Sequence, residues 1–222
     1  MNLEASLKVN KLRRESVSNK SIIKLNLGCG GRPLPGYINV DMDTLEEMKI
    51  RYPNQKFDSN LQIKQYDLFN LPYDNESVDE VRADGLIEHL PFIDESRFFY
   101  EAIRVLRPGG RLEISTVDFE KTVKQWLAAE DDWKDFYKND EQSIIDQHWF
   151  GTYTYEPKNR WGYLVATFYG SQNGSGQFHT NCYTEKKLHS ICKKLDLKVQ
   201  GIDKFQWKGD RDHMLRLVAL KN

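Results

Sequence analysis

The chain has 222 residues, 39% of them hydrophobic and 29% charged, which suits one α/β domain with an insertion better than two full domains. A net charge of −1 gives no global footprint for nucleic acid or an anionic membrane. There is no apolar run of the roughly 20 residues that span a bilayer, and the opening MNLEASLKVNKLRRES lacks the apolar core of a secretory signal. Cys29, Cys182 and Cys192 have neither CxxC nor Cys/His metal spacing, so the reading is a cytoplasmic protein with free thiols and no metal site.

Residues 1–20 are polar and read as a tail or one short helix. Residues 21–222 read as the domain, with an insertion over about 119–181. Ile22 to Leu27 is a strand-like run that stops at Gly28-Cys29-Gly30-Gly31. A second strand, Tyr37 to Val40, ends at Asp41-Met42-Asp43. A third, Leu61 to Tyr66, ends at Asp67, and Val78 to Ala83 is the fourth. From Asp94 to Leu106 the spacing of Phe98, Phe99, Ala102, Ile103 and Leu106 predicts an amphipathic helix, ended by Arg107-Pro108-Gly109-Gly110. Arg111 to Thr116 supplies a fifth strand. Thr184 to Leu195 reads as a helix, and Val199 to Phe205 with His213 to Leu220 as an antiparallel pair at one sheet edge. Strands alternating with helical or short connections imply a largely parallel sheet.

Between Phe119 and Asn181 the alternation breaks. This stretch holds Trp126, Trp133, Phe136, Tyr137, Trp149, Phe150, Tyr153, Tyr155, Trp161, Tyr163, Phe168 and Tyr169. It reads as a cap over the strand ends, its aromatics either lining an acceptor pocket or forming the insertion's own small core.

Glycines directly after an apolar strand let a ligand approach the backbone and permit positive φ. An acid at the end of the next strand suits ribose hydroxyls; Asp41 is the first candidate and Asp43 its competitor. The loop is a poor GxGxxG fingerprint, because the third glycine position holds Pro33. Pro33 and Pro35 also leave little room for a helix whose N-terminus would bind a pyrophosphate. That favours an adenosyl ligand without a pyrophosphate over NAD.

The stretches LNLGCGGRPLPGYINVDMD, YDLFNLPYDNESVDEVRADGLIEHL and RVLRPGGRLEIS resemble three successive signatures of the class I S-adenosylmethionine (SAM) dependent methyltransferases. They are similar in particular to short bacterial members associated with carbohydrate or surface-polysaccharide biosynthesis, over Ile22 to about Val117. The resemblance implies an α/β fold, a Rossmann-like methyltransferase sandwich with a mostly parallel seven-stranded sheet and an antiparallel last strand. It implies SAM as cofactor and S-adenosylhomocysteine as product.

Carried over residue by residue, Gly28, Cys29 and Gly30 face the methionyl part and ribose, and Asp41 the ribose hydroxyls. Asp67 accepts from the adenine amino group, unless it only caps a turn, and Leu68 packs near the ring. Asp84 lies near the sulfonium or amino-acid end. The first crossover is shorter than the family pattern, and Arg32 is the candidate partner of the methionine carboxylate. Glu88-His89-Leu90 also matches the pattern. His89 is a candidate general base, with an ordinary pKa near about 6.5, or an orienting group. His179 is a candidate for proton removal or acceptor binding, the alternative being a loop histidine bonded to backbone. Asp118 and His148 stand within reach of an acceptor. The expected function is methyl transfer to a small-molecule or sugar acceptor at a hydroxyl. N-methylation, or SAM binding by a non-catalytic interaction protein, are the alternatives. Nucleic acid is disfavoured, and no oligomeric state is implied.

Overall fold

A computed structural model describes residues 21–128, 141–146, 160–172, 174, 176–205 and 214–222. Seven strands, β1 (Lys24–Leu27), β2 (Ile38–Val40), β3 (Ile63–Lys64), β4 (Val78–Asp84), β5 (Leu106–Val117), β6 (Leu197–Phe205) and β7 (Met214–Lys221), form one sheet. Its order is β3-β2-β1-β4-β5-β7-β6. The pairs among the first five strands are parallel, and β7 runs antiparallel to both β5 and β6. This is the Rossmann-like α/β sandwich, with the mostly parallel seven-stranded sheet and antiparallel last strand that the resemblance implies.

The central strands alternate, so that one face of the sheet is apolar while Lys24, Asn26, Glu80, Arg82, Arg111 and Glu113 lie on the other. Leu25, Leu27, Val81, Ala83, Leu112 and Ile114 are fully buried, as are Leu215, Leu217 and Ala219 of β7. Helix α2 (Glu95–Val105) adds Phe98, Phe99, Ala102 and Val105 to this core, and α6 (Glu185–Lys194) adds Leu188 and Cys192. Burying one such aliphatic or aromatic side chain contributes about 1.5–3 kcal/mol.

Several boundaries differ from the sequence reading. Helix α2 stops at Val105 because Leu106 already pairs with Val78; the ladder then resumes at Arg111 opposite Glu80, so Arg107–Gly110 bulges out of register. β3 is only two residues long at the sheet edge. Helix α1 (Leu45–Arg51) is not foreseen by the sequence reading, although Thr44 and Glu47 close a capping box: Thr44 N–H donates to Glu47 Oε2 at 2.7 Å, and Glu47 N–H to Thr44 Oγ1 at 3.3 Å.

No helix occupies the β1–β2 connection, as Pro33 and Pro35 predict. Buried Asn39 takes over the satisfaction of that loop's backbone. Its Oδ1 accepts from Leu34 N–H at 2.8 Å and from Asn26 Nδ2 at 2.9 Å, and its Nδ2 donates to Leu34 O at 3.1 Å.

The insertion contributes α3 (Phe119–Ala128), α4 (Glu141–Asp146) and α5 (Arg160–Tyr169). Phe119 meets Phe168 with ring centroids 4.9 Å apart, Trp126 meets Trp161 at 6.0 Å, and Tyr163 OH donates to Gln125 Oε1 at 2.8 Å. The expected N-terminal tail lies outside the described residues, as do Trp133, Phe136, Tyr137, His148, Trp149, Phe150, Tyr153 and Tyr155.

Candidate active site

β1 sits between β2 and β4, so the chain winds outward through β2 and β3 and then returns to the other side of β1. Such a reversal opens a crevice at the carboxyl ends of the strands, where ligands of doubly wound folds bind. A cavity of about 450 Å³ occupies that position. Its one wall is the Gly28–Arg32 loop with Asp41 and Asp84; Tyr66 and Leu68 add apolar surface, and Glu88, His89 and His179 stand on the remaining side.

Two glycines shape the first wall. Gly28 has φ 63°, and a Cβ there would lie 2.6 Å from Leu86 Cδ1, so a larger residue would be both strained and crowded. Gly30, at φ 47°, donates its N–H to Asp41 Oδ2 at 2.7 Å, while Asp41 Oδ1 accepts from Asp43 N–H at 3.1 Å. The Asp41 carboxylate is thereby fixed against the glycine loop. Asp43, the competing acid, is instead ion-paired with Arg51 at 2.9 Å. Burial, with the Asp41 charge adding to it, pushes the Cys29 thiol up to about 12, so at neutral pH it is an inert neutral group.

Asp84 ends β4 and carries an unusual feature. Oδ2 accepts from Arg82 Nε at 2.6 Å, but Oδ1 is buried with no hydrogen-bond partner among the described residues. An unsatisfied buried acceptor costs about 1–3 kcal/mol. A donor-bearing ligand in the cavity would relieve that cost.

On the remaining side a 3₁₀ turn, Ile87–His89, follows β4. The segment 178–181 is fastened to it: Thr180 and Asn181 N–H donate to Glu88 O at 2.8 and 3.1 Å, and Thr180 Oγ1 donates to His89 O at 3.1 Å. His89 Nδ1 lies 3.0 Å from Phe178 O and His179 Nδ1 lies 2.8 Å from Thr167 O. A carbonyl only accepts, so both Nδ1 atoms carry the proton and each Nε2 keeps a lone pair. The two rings meet edge to face with centroids 4.7 Å apart. Burial holds the His179 pKa below the ordinary histidine value, which keeps its ring neutral at pH 7. Gly170 makes room for this arrangement: with φ 74°, its missing Cβ would lie 2.4 Å from Gln177 O and 2.9 Å from His179 Cδ2.

The structure thus brings Gly28, Cys29, Gly30, Arg32, Asp41, Leu68, Asp84, His89 and His179 to one cavity. Asp67 is exposed, accepts Phe69 N–H at 2.8 Å in a turn, and is not among the lining residues, although its neighbours Tyr66 and Leu68 are. Asp118 is also off the lining. It is buried at the start of α3, where Oδ1 accepts Lys121 N–H at 3.0 Å and Oδ2 lies 3.4 Å from Lys204 Nζ. None of the described cap aromatics lines the cavity. The sequence reading overlooks the Glu88 side chain, buried and accepting from Thr116 Oγ1 at 2.9 Å.

With this geometry in view, residues 25–114, less than half of the chain, match the family model described as methyltransferase domain. Among individual proteins, the chain is similar to Methyltransferase GfsG of Streptomyces halstedii, 31% identical over 116 residues, 47% of this chain and 41% of that protein. It is also similar to the phthiotriol/phenolphthiotriol dimycocerosates methyltransferase of Mycobacterium leprae (strain TN), 30% identical over 122 residues, 50% of this chain and 43% of that protein. The chain spans less than half the length of these curated relatives. In fold it is similar to the 1,6-didemethyltoxoflavin-N1-methyltransferase of Burkholderia thailandensis, solved with 1,6-didemethyltoxoflavin and S-adenosylhomocysteine bound. The TM-score is 0.53 at 11% identity, covering 99% of this chain and 85% of that one.

Proposed function

We propose that this protein is a SAM-dependent methyltransferase that acts at a hydroxyl of a small-molecule or sugar acceptor, in carbohydrate biosynthesis. The observation that carries the cofactor reading is the Asp84 carboxylate. Asp84 lines the cavity beside a glycine loop already bonded to Asp41, and its buried Oδ1 has no hydrogen-bond partner among the described residues, a donor that the ammonium of an amino-acid ligand would supply. When bound, SAM supplies a methyl group on a sulfonium sulfur, open to in-line attack by a nucleophile.

The chain's own residues divide the remaining work. Asp41 keeps lone pairs for the ribose hydroxyls, since a carboxylate has about four acceptor positions and two are in use. Leu68 and Tyr66 provide apolar surface for the adenine, Asp67 accepts from its amino group after a rotamer change, and Arg32 takes the methionine carboxylate. Opposite them, Glu88, His89 and His179 face the acceptor. The neutral Nε2 of His179 is suited to take a hydroxyl proton, a service that a hydroxyl acceptor requires and a neutral amine does not. Positioning supplies the rest. A cytoplasmic setting belongs to the same reading, supported by free Cys29, Cys182 and Cys192. Among the described residues no helix is long and apolar enough to cross a membrane.

Calorimetric titration with SAM, S-adenosylhomocysteine and NAD tests the proposal. Saturable binding of both adenosyl ligands without NAD binding is the expected result, followed by labelled-methyl transfer to a screen of sugars and small hydroxyl metabolites. A folded sample, free of cofactor, that binds neither adenosyl ligand would refute it.

A further inference from the structure

We infer that Glu88, His89 and His179 form a site for one divalent transition-metal cation on the acceptor side of the cavity. One ligand atom from each of the three lies within 4.8 Å of the other two. Two histidines and one carboxylate are a donor set that suits Zn²⁺, Fe²⁺ or Co²⁺ better than Mg²⁺ or Ca²⁺, which prefer oxygen alone.

Three further observations point the same way. Both imidazoles give Nδ1–H to a backbone carbonyl, Phe178 O for His89 and Thr167 O for His179. That outer bond is the one metal-ligating histidines make, because it fixes the ring and directs the Nε2 lone pair outward. Neither Nε2 has a hydrogen-bond partner among the described residues. Lastly, Glu88 is only 3% exposed, is held by one hydroxyl through Oε2, and makes no ion pair among the described residues. A carboxylate so buried attracts cations: Arg32, on the lining of the same cavity, already acts on it electrostatically, and a metal ion would pair with it directly. Three ligand atoms about 2.1 Å from one ion in tetrahedral geometry stand about 3.4 Å apart, so from separations of up to 4.8 Å each side chain moves inward by less than about 1 Å.

Three protein ligands leave coordination positions for oxygen atoms of an acceptor. The cation therefore narrows the proposed acceptor to one with a hydroxyl beside a second oxygen, able to chelate. That clause rests on the methyltransferase reading; the cation site itself does not. With the ion bound, the histidine lone pairs are ligands, and the hydroxyl proton leaves to solvent instead of to His179.

Tag-free protein, stripped with EDTA and returned to chelator-free buffer, is titrated with CoCl₂ and then ZnCl₂ by calorimetry and visible absorption. One Co²⁺ per chain is expected, with a d–d spectrum that Zn²⁺ abolishes. Affinity should fall by more than about tenfold in His89→Ala and in His179→Ala, since even loss of an outer partner typically weakens binding by about 10–100-fold. Glu88→Gln extends the test, and the histidine variants decide it if that buried substitution does not fold. No stoichiometric binding of Co²⁺ or Zn²⁺, or equal binding by the double variant His89→Ala/His179→Ala, overturns the site. S-adenosylhomocysteine titration of the same stripped sample separates the two claims: nucleoside binding without cation binding removes only the metal, and cation binding without nucleoside binding removes only the methyltransferase reading.

Discussion

Two side chains at the cavity, Asp41 and His179, carry charge or proton behaviour that a single substitution can expose. Asp41 anchors Gly30 and is proposed to meet the ribose. Asp41→Ala is expected to weaken S-adenosylhomocysteine binding about 10–100-fold in calorimetry, from loss of one or two bonds to an ionised acceptor at about 1.5–3 kcal/mol. Asp43→Ala, which removes one ion-pair partner of Arg51, should change affinity far less. His179 has a native pKa lowered chiefly by burial, so the unfolded chain takes up its proton first as pH falls. Its contribution is therefore fully present above about pH 6.5, the unfolded value, and is lost as pH drops toward the lowered native pKa. Guanidinium midpoints of the metal-free protein at pH 7.5 and 5.5 should converge in His179→Asn relative to the unsubstituted chain. An unchanged pH slope would remove the burial argument. Of these residues the glycines, Asp41 and Asp84 are legible in sequence because each sits immediately beyond an apolar run. Glu88 paired with Thr116 is not, since the two are 28 positions apart and only strand pairing brings them together.

At the scale of elements, the β1–β2 connection shows how a missing helix is replaced. Backbone groups turned away from water must be satisfied, and buried Asn39 does so for half-buried Leu34 on both the donor and the acceptor side. Asn39→Ala removes the acceptor of Leu34 N–H and one of the two acceptors of the Asn26 amide, which keeps Arg32 O, while Leu34 O keeps Tyr37 N–H. It should destabilise the protein by about 1–3 kcal/mol, and because the loop carries the Gly28–Arg32 wall it should weaken adenosyl-ligand binding as well. Denaturant midpoints and calorimetry on the same variant check both effects; a loss of stability with unchanged affinity would show that the loop does not shape the site. The absence of this helix is readable from Pro33 and Pro35. Its substitute is not, because Asn39 reads locally as one more residue of a short strand. Helix α1 is the converse case, a helix whose capping box is written in Thr44 and Glu47 but whose apolar content is too small for periodicity to reveal it, Met48 alone being buried.

For the molecule as a whole, the cavity lies where the sheet reverses direction, and its walls come from segments as distant in sequence as Gly28 and His179. A ligand that joins these walls should stabilise the native state globally. At 100 times its dissociation constant, S-adenosylhomocysteine is expected to add about 2.7 kcal/mol, a rise of roughly 5–10 °C in Tm for a chain of this size. Differential scanning calorimetry with and without the ligand measures it, and no shift under saturating ligand would contradict the proposed site.

The positions of the strands and of the glycine loop follow from local signals, whereas the strand order is set by tertiary pairing. Apolar runs of period two or of continuous burial, punctuated by glycine, proline and aspartate, are properties of neighbouring residues. The described cap aromatics are equally plain in sequence, yet their placement is not: whether Trp126 and Trp161 face a ligand or each other depends on how α3 and α5 pack, and they face each other. The convergence of Glu88, His89 and His179 belongs wholly to the tertiary structure. Two of them are adjacent in the chain and the third is some 90 residues away, brought back by backbone bonds from Thr180 and Asn181 to Glu88. Local sequence encodes propensity and burial; distances between remote side chains are decided only when the sheet and the returning segment close on one another.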